Sequence, residues 1–456
     1  MPRPRAHHRD ADVIVIGAGA AGLAAAHVLI EHGLDVRVLE ARDRVGGRIH
    51  TVVSPETGMP IEIGAEFLHG AATACRELAD RYGLRTIDVS GQRFEHTSRG
   101  IRVSRDYSAR LDRALGRLDA HRSPDRSLAQ AMRANRGSVS AADRSLATRF
   151  VEGFDAADAT LVSERWLAIA GSPGRDVRES RVGRMLDGYG ALVHALARPL
   201  GARVRLGAVV TDVRWRPGNV DVACAPARGR RRSWSARAVV ITVPLGVMQA
   251  APGERGAIRF DPPAPALGRS IALGIMGPVH RLVLRFAEPF WLEPGFARRL
   301  DAPPLERMTF IQSRRPLAFR VWWTTYPVYA PMLVAWSGGS EAARLARRSS
   351  RELEQLAIAS LASIFRTTPA RLATRLVRSY QHNWVGDPYS RGAYSYARVG
   401  GARMSERLAQ PVERTIWYAG EAAHTVASTG TVHGAIASGQ RAAHEIVELI
   451  HGRRVR

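Results

Sequence analysis

Apolar and polar positions follow different periods in different parts of the chain. Val13–Ile16 is continuously apolar, as a strand buried on both faces requires, and it runs into GAGAAG at 17–22. GLAAAHVLIEHG comes next, dense in helix-forming Ala and Leu and ended by Gly33. A second apolar strand, DVRVLE, closes on Glu40. Residues 105–150 carry a helical period, with Leu111, Leu115 and Leu118 on one face. Residues 281–286 and 319–336 read as strands rich in Val, Trp and Tyr. Near the C-terminus the strand TIWYA meets a Gly-Glu turn, and a loop then feeds a helix starting near Thr431. Gly434, Ala435, Ala437, Ser438 and Gly439 keep that helix thin. The expected class is α/β, and 456 residues are long enough for two domains. No internal repeat or low-complexity linker is visible.

The first strand, turn and helix contain G-x-G-x-x-G at Gly17, Gly19 and Gly22. The first glycine permits the tight turn, the second lets backbone approach a pyrophosphate, and the third lets helix pack on strand. Glu40 lies 18 residues after Gly22, where a carboxylate accepts hydrogen bonds from an adenosine ribose and repels a 2′-phosphate. A glycine-rich turn of some other α/β unit would leave Glu40 unexplained. The fingerprint alone does not separate NAD from FAD. ARDRVGGR (41–48) adds two glycines and an arginine that could cap the same pyrophosphate from its other side.

Composition changes the picture mainly by exclusion. All 66 basic residues are arginine, and the formal net charge is +24. Without lysine there is neither a P-loop nor a pyridoxal Schiff base. No G-x-S-x-G elbow or H-E-x-x-H pair is present. The arginines are dispersed, and the one tight run, RGRRR at 228–232, lies between two strand-like stretches as a solvated hairpin tip would. Nucleic acid is therefore not expected as a main partner. Cys75 and Cys224 stand far apart, which argues against a disulfide framework or a metal site. No apolar run approaches the roughly 20 residues of a membrane span, and MPRPRAHHRD is followed by no apolar signal-peptide region. The expectation is a cytoplasmic protein with no membrane partner.

Beyond the fingerprint the chain resembles the flavin-dependent amine oxidase family, in which E-A-R-x-R-x-G-G-R follows the first strand–helix–strand unit. IEIGAEFLHG (61–70) resembles the segment that passes the flavin ring, and ARAVVITVPLGVM (236–248) resembles the strand ending in T-V-P-L-G-V. WVGDPYSRGAYSYARVG (384–400) is similar to a pattern of polyamine oxidases and lysine-specific histone demethylases. IWYAGEAAHTVASTGTVHGAIASGQRAA (416–443) is similar to the C-terminal block. These motifs run in the family's order, and the pattern is nearest to polyamine oxidases.

The resemblance implies FAD. Its fold would interleave a Rossmann-type FAD-binding domain (11–72, 186–265 and 380–456) with a substrate domain of mixed sheet and helices (73–185 and 266–379). FAD contacts would come from Ala20 with the fingerprint glycines, and from Glu40, Ala41, Arg42, Gly47 and Arg48. Gly64, Ala65, Glu66 and Phe67 would follow, then Val209 and Trp384. Gly420, Glu421, Thr431, Val432 and Ala435 would complete the set. Glu40 would bind the adenosine ribose, Arg42 and Arg48 phosphates and ribityl groups, and Glu421 the ribityl chain. Thr431 and Val432 would bring a helix N-terminus to the flavin edge that becomes negative on reduction. Ala393 stands where monoamine oxidases carry the flavin-linking cysteine, so the FAD is expected without a covalent bond.

The same resemblance places Tyr394 and Thr431 beside the amine, although alternating Ala393–Tyr396 is also what a plain strand shows. His69 falls in the substrate tunnel, and a structural histidine is the other reading there. In GPVHRLVLRFAEPFW (277–291) Arg281 replaces a family lysine that holds a water near flavin N5. Arginine stays charged and is bulkier and planar. Polyamines would be repelled at long range by a +24 chain. They would need acidic tunnel walls, for which Glu66, Asp187 and Glu152 are candidates; a monoamine avoids the difficulty. L-amino-acid oxidases of this superfamily bind a carboxylate through an arginine shortly after G-A, where Glu66 and Phe67 stand here, which argues against that branch. The expected reaction is oxidation of an amine to an imine, with O2 reduced to H2O2. The alternatives are a flavin dehydrogenase or tailoring enzyme using another acceptor, and a flavoprotein with no amine chemistry. Oligomeric state is not legible.

Overall fold

The computed structural model describes residues 9–171, 181–225 and 232–452. Its nucleotide-type half is a five-stranded parallel sheet. The strands lie in the order Val204–Arg205, Val36–Leu39, Val13–Ile16, Ala238–Ile241 and Ile416–Tyr418. Parallel strands need long crossovers, which is why chain segments far apart in sequence meet side by side. Val13–Ile16, Ala238–Ile241 and Ile416–Tyr418 are buried along their length and apolar, whereas the first two strands admit Arg205 and Arg37. Val13, Val15, Val38 and Val240 pack with helix Ala20–Glu31 and helix Val432–Gly452. Ile14, Ile16, Val239 and Ile241 share the opposite core with Val213, Val220 and Val222 of a four-stranded sheet. A side chain at Gly439 would put its Cβ 2.1 Å from the Ala21 carbonyl oxygen, so glycine sets the spacing of the two helices.

The other half is built on a mixed seven-stranded sheet. Its order is Leu376–Gln381, Val279–Phe286, Met332–Gly338, Val321–Thr324, Met308–Ser313, Gln92–Thr97 and Gly100–Val103. Side chains alternate between faces along each strand. Leu282, Leu284, Leu333, Trp322 and Ile311 turn toward helix Ser350–Ile364 in one core. Arg281, Trp336, Trp323, Phe310 and Arg93 line a large cavity on the other side.

Two expected elements are cut. The helical face over 105–150 becomes Tyr107–Leu115, Leu128–Ala134 and Ala141–Phe154. Ser127 and Ser140 accept from the backbone N–H of Gln130 and Asp143, so each starts a new helix. The stretch 319–336 splits into Val321–Thr324 and Met332–Gly338, with Pro327 and Pro331 lacking ladder donors between them. Cys75 and Cys224 are buried and unpaired. Among the described residues no helix is long and apolar enough to cross a membrane. Residues 1–8, and the basic run 228–232 apart from Arg232, lie outside the described residues.

Candidate active site

The glycine turn forms one end of the cavity. Gly17 has φ +106°, and a Cβ there would meet Thr242 Oγ1 at 2.8 Å. A Cβ on Gly22 would fall 2.0 Å from the Gly17 carbonyl oxygen, so Gly22 serves the helix–turn contact and does not itself line the cavity. Gly19 is the N-cap of helix Ala20–Glu31, which has no side-chain cap and no acid in its first turn. Its first backbone N–H groups are therefore available to an anion. Glu40 is buried and accepts from the N–H of Ala18 at 2.8 Å and of Arg42 at 2.9 Å.

Of the three arginines in 41–48, Arg42 and Arg48 are already engaged by side chains of the C-terminal segments. Arg42 donates to Asp387 at 2.8 Å and to Ser390 at 2.9 Å. Arg48 donates to the Ala393 carbonyl at 2.7 Å and to Glu421 at 2.9 Å. Glu421 also accepts from Ser395 Oγ at 2.8 Å and from the N–H of Gly430 at 3.1 Å. It ties strand Tyr394–Ala397 to the loop before helix Val432–Gly452. Trp384 is buried and donates to the Ile63 carbonyl at 3.0 Å.

The cavity measures about 940 Å³, at the upper end of the roughly 300–1,000 Å³ usual for ligand pockets. Gly17, Gly19, Ala20, Glu40, Ala41 and Arg42 line it, with Gly47, Arg48 and Val209. Gly64, Ala65, Glu66, Phe67 and Trp384 line it further on, as do Gly420, Glu421, Thr431, Val432 and Ala435. The side-chain-free glycine floor, the uncapped helix start and the Glu40 carboxylate suit an extended dinucleotide. The donor set fits the group that the sequence implies.

At the opposite end the lining becomes aromatic. Arg281 is 4% exposed. It donates to the Gly64 carbonyl and to Glu66, and lies over the Trp323 ring. Its Nε is buried with no partner among the described residues. Glu66 also accepts from Arg184 Nε at 2.6 Å and from Trp323 Nε1 at 2.9 Å. Burial pushes the Glu66 carboxyl up, but the facing Arg184 and Arg281 guanidiniums outweigh it and hold it below the usual range.

Tyr394 donates its hydroxyl to the Phe154 carbonyl, and burial, then Asp155 and Glu421, holds its pKa far above the usual phenol. Thr431 also lines the cavity, but its hydroxyl is used in capping the helix. It donates to the Ser428 carbonyl at 2.7 Å and accepts from the N–H of Gly434 at 3.0 Å. His69 packs edge-on against Phe154, with ring centres 5.3 Å apart. Burial above all, then His433 and Arg93, lowers its pKa to about 4, so the imidazole is neutral at neutral pH.

The candidate acidic walls need correction. Glu66 is spent between two arginines. Asp187 pairs at the surface with Arg85 at 2.8 Å. Glu152 does not line the main cavity and accepts from Ser340 at 3.0 Å. Asp112 and Asp155, which the sequence did not single out, do line it. Trp323, Phe310 and Arg93 of the lining were also missed, as was Arg184, which holds Glu66 from outside the cavity. Their strands were partly legible, but which face turned to the cavity depends on pairings between distant segments.

Residues 20–447 match the protein family described as flavin containing amine oxidoreductase. The chain is 30% identical over 464 residues to polyamine oxidase 4 of Oryza sativa subsp. japonica, covering 95% of this chain and 88% of that protein. It is 27% identical to a putative flavin-containing monoamine oxidase of Mycobacterium tuberculosis, covering 96% of this chain and 97% of that one. Among solved structures, wild-type putrescine oxidase bound to putrescine superposes with a TM-score of 0.78 at 24% identity, covering 96% and 99% of the two chains. Cyclohexylamine oxidase from Brevibacterium oxydans IH-35A gives a TM-score of 0.79 at 22% identity, covering 97% and 100%. These two likenesses show the fold.

Proposed function

As the chain belongs to the flavin containing amine oxidoreductases, we propose that it oxidises the C–N bond of a polyamine or monoamine to an imine, with O2 reduced to H2O2. One observation carries the reading. A single cavity joins the dinucleotide fingerprint to an aromatic, largely desolvated end holding His69, Tyr394 and Arg281. When bound there, FAD supplies the acceptor for the two electrons removed with the amine's α-hydrogen.

The chain's own residues bind, orient and exclude water. The N–H groups at the start of helix Ala20–Glu31 would hold the diphosphate and Glu40 the ribose hydroxyls. Arg48, fixed by Glu421, would face the ribityl chain, with Ala393 offering no thiol for a covalent link. The start of helix Val432–Gly452 would supply a positive dipole end to the ring. Tyr394 gives an aromatic wall, and neutral His69 adds no repulsion against an amine that must lose its own proton before oxidation. Thr431 would support that wall from the helix cap. Arg281 would stand in the place of the family lysine, but its two terminal nitrogens are spent on the Gly64 carbonyl and Glu66, and its Nε is sealed from water. A non-oxygen acceptor is the second reading, favoured by that replacement.

The segments 11–72, 186–265 and 380–456 are proposed as the FAD-binding domain and the rest as the substrate domain. A cytoplasmic location is proposed from the two unpaired, buried cysteines, and cell fractionation tests it. The functional test is peroxide release by the holoenzyme over a panel of polyamines and monoamines. Peroxide stoichiometric with amine consumed supports the reading. Flavin reduced by amine but reoxidised slowly in air supports the other acceptor.

A further inference from the structure

The cavity face of the seven-stranded sheet holds two arginines in different electrostatic states. Arg281 is compensated by Glu66. Arg93, four strands away and roughly 19 Å across the sheet, has no carboxylate partner among the described residues. Register pairs Arg93 with Phe310 and Phe310 with Trp323, so an aromatic strip connects the two ends. The Arg93 guanidinium lies 4.5 Å from the Phe310 ring centre and 5.5 Å from that of Tyr107. It is surrounded by protein, yet it keeps accessible surface because it faces the cavity. Arg149 lines the same cavity, and both arginines act electrostatically on Tyr107. Of the carboxylates lining it, Glu40, Glu66 and Glu421 are engaged elsewhere, Asp155 acts on Tyr394, and Asp112 is exposed on helix Tyr107–Leu115. Glu95, two residues along the strand from Arg93, acts on Arg149 and Tyr107 but is paired with Arg314.

A guanidinium held over aromatic rings and not spent on a carboxylate of the protein keeps N–H donors for a carboxylate of the ligand. We infer that Arg93, with Arg149, forms an anion subsite at the far end of the substrate cavity, and that the preferred substrate is an amine bearing a carboxylate at its other end. The amine end would lie by Tyr394 and the carboxylate on Arg93, with His69, on which Arg93 acts electrostatically, between them. A diamine of equal length would instead bring an ammonium against an uncompensated cation. This inference rests on the amine-oxidation reading and narrows its substrate class. Arg93 is here a specificity residue, with no part in the chemistry.

The test uses the holoenzyme, R93Q and R93K. Straight-chain amines of increasing length are compared, ending in methyl, carboxylate or ammonium. The simple carboxylates without an amine are titrated in parallel, with perturbation of the flavin spectrum as the binding readout. The wild type is expected to prefer the carboxylate-ended amines at one range of lengths. R93Q is expected to lower kcat/KM for carboxylate-ended relative to methyl-ended amines by roughly ten- to a hundred-fold, and R93K to lower it less. Preference for the ammonium end, or R93Q shifting all three end groups alike, overturns the inference. If no amine reduces the flavin, the amine-oxidation reading fails and carboxylate binding decides alone. Weaker binding in R93Q then supports the anion subsite, and unchanged binding overturns it.

Discussion

Glu66 meets Arg184, Arg281 and Trp323 at the buried end of the cavity. Removing its charge leaves two guanidiniums facing each other without compensation. E66Q should destabilise the holoenzyme by roughly 3–5 kcal/mol, read as a lower urea midpoint, and an unchanged midpoint would show that the pair carries no structural role. His69 gives a pH signature. Its folded pKa of about 4 lies below the ordinary 6.5, so its contribution is complete above pH 6.5 and is lost as pH falls toward 4. Glu62, raised to about 7 by burial, acts in the opposite sense over an overlapping range. The difference between wild type and H69Q removes that second contribution, and stability should fall less steeply in H69Q between pH 6.5 and 4. Locally spaced features such as Gly17, Gly19 and Glu40 were legible in the sequence. The ion pairs of Glu66 were not, because Arg184 and Arg281 reach it from strands distant in the chain.

Helix ends and close contacts set the site's frame. Thr431 caps helix Val432–Gly452 through the N–H of Gly434. T431V should cost about 1 kcal/mol and T431S should recover most of it, measured by thermal unfolding of the holoenzyme. At Gly22 an added Cβ meets backbone at 2.0 Å, with no flexible side chain to yield. G22A should therefore purify with little bound flavin, and full flavin content would contradict the helix–turn contact as its cause. The first strand–helix–strand unit was readable because turn, helix and acid are contiguous. The helices between 105 and 154 were blurred by an unbroken leucine period. Their real ends are set by the serine caps Ser127 and Ser140.

Across the whole molecule, two sheets built from interleaved segments close one cavity between a dinucleotide end and an aromatic end. The chain's charge of +24 acts on every approaching substrate. For cationic amines kcat/KM should rise as salt screens the repulsion, and for anion-bearing amines it should rise less or fall. A salt response identical for both would show that net charge does not steer entry. The central claim is that amines reduce the bound flavin in this cavity. Anaerobic titration of the holoenzyme with polyamines, monoamines and amino acids, followed by flavin absorbance, tests it most directly. The account predicts complete bleaching by one amine class at one amine per flavin, with colour restored on admitting air. Full retention of colour with every amine would contradict it.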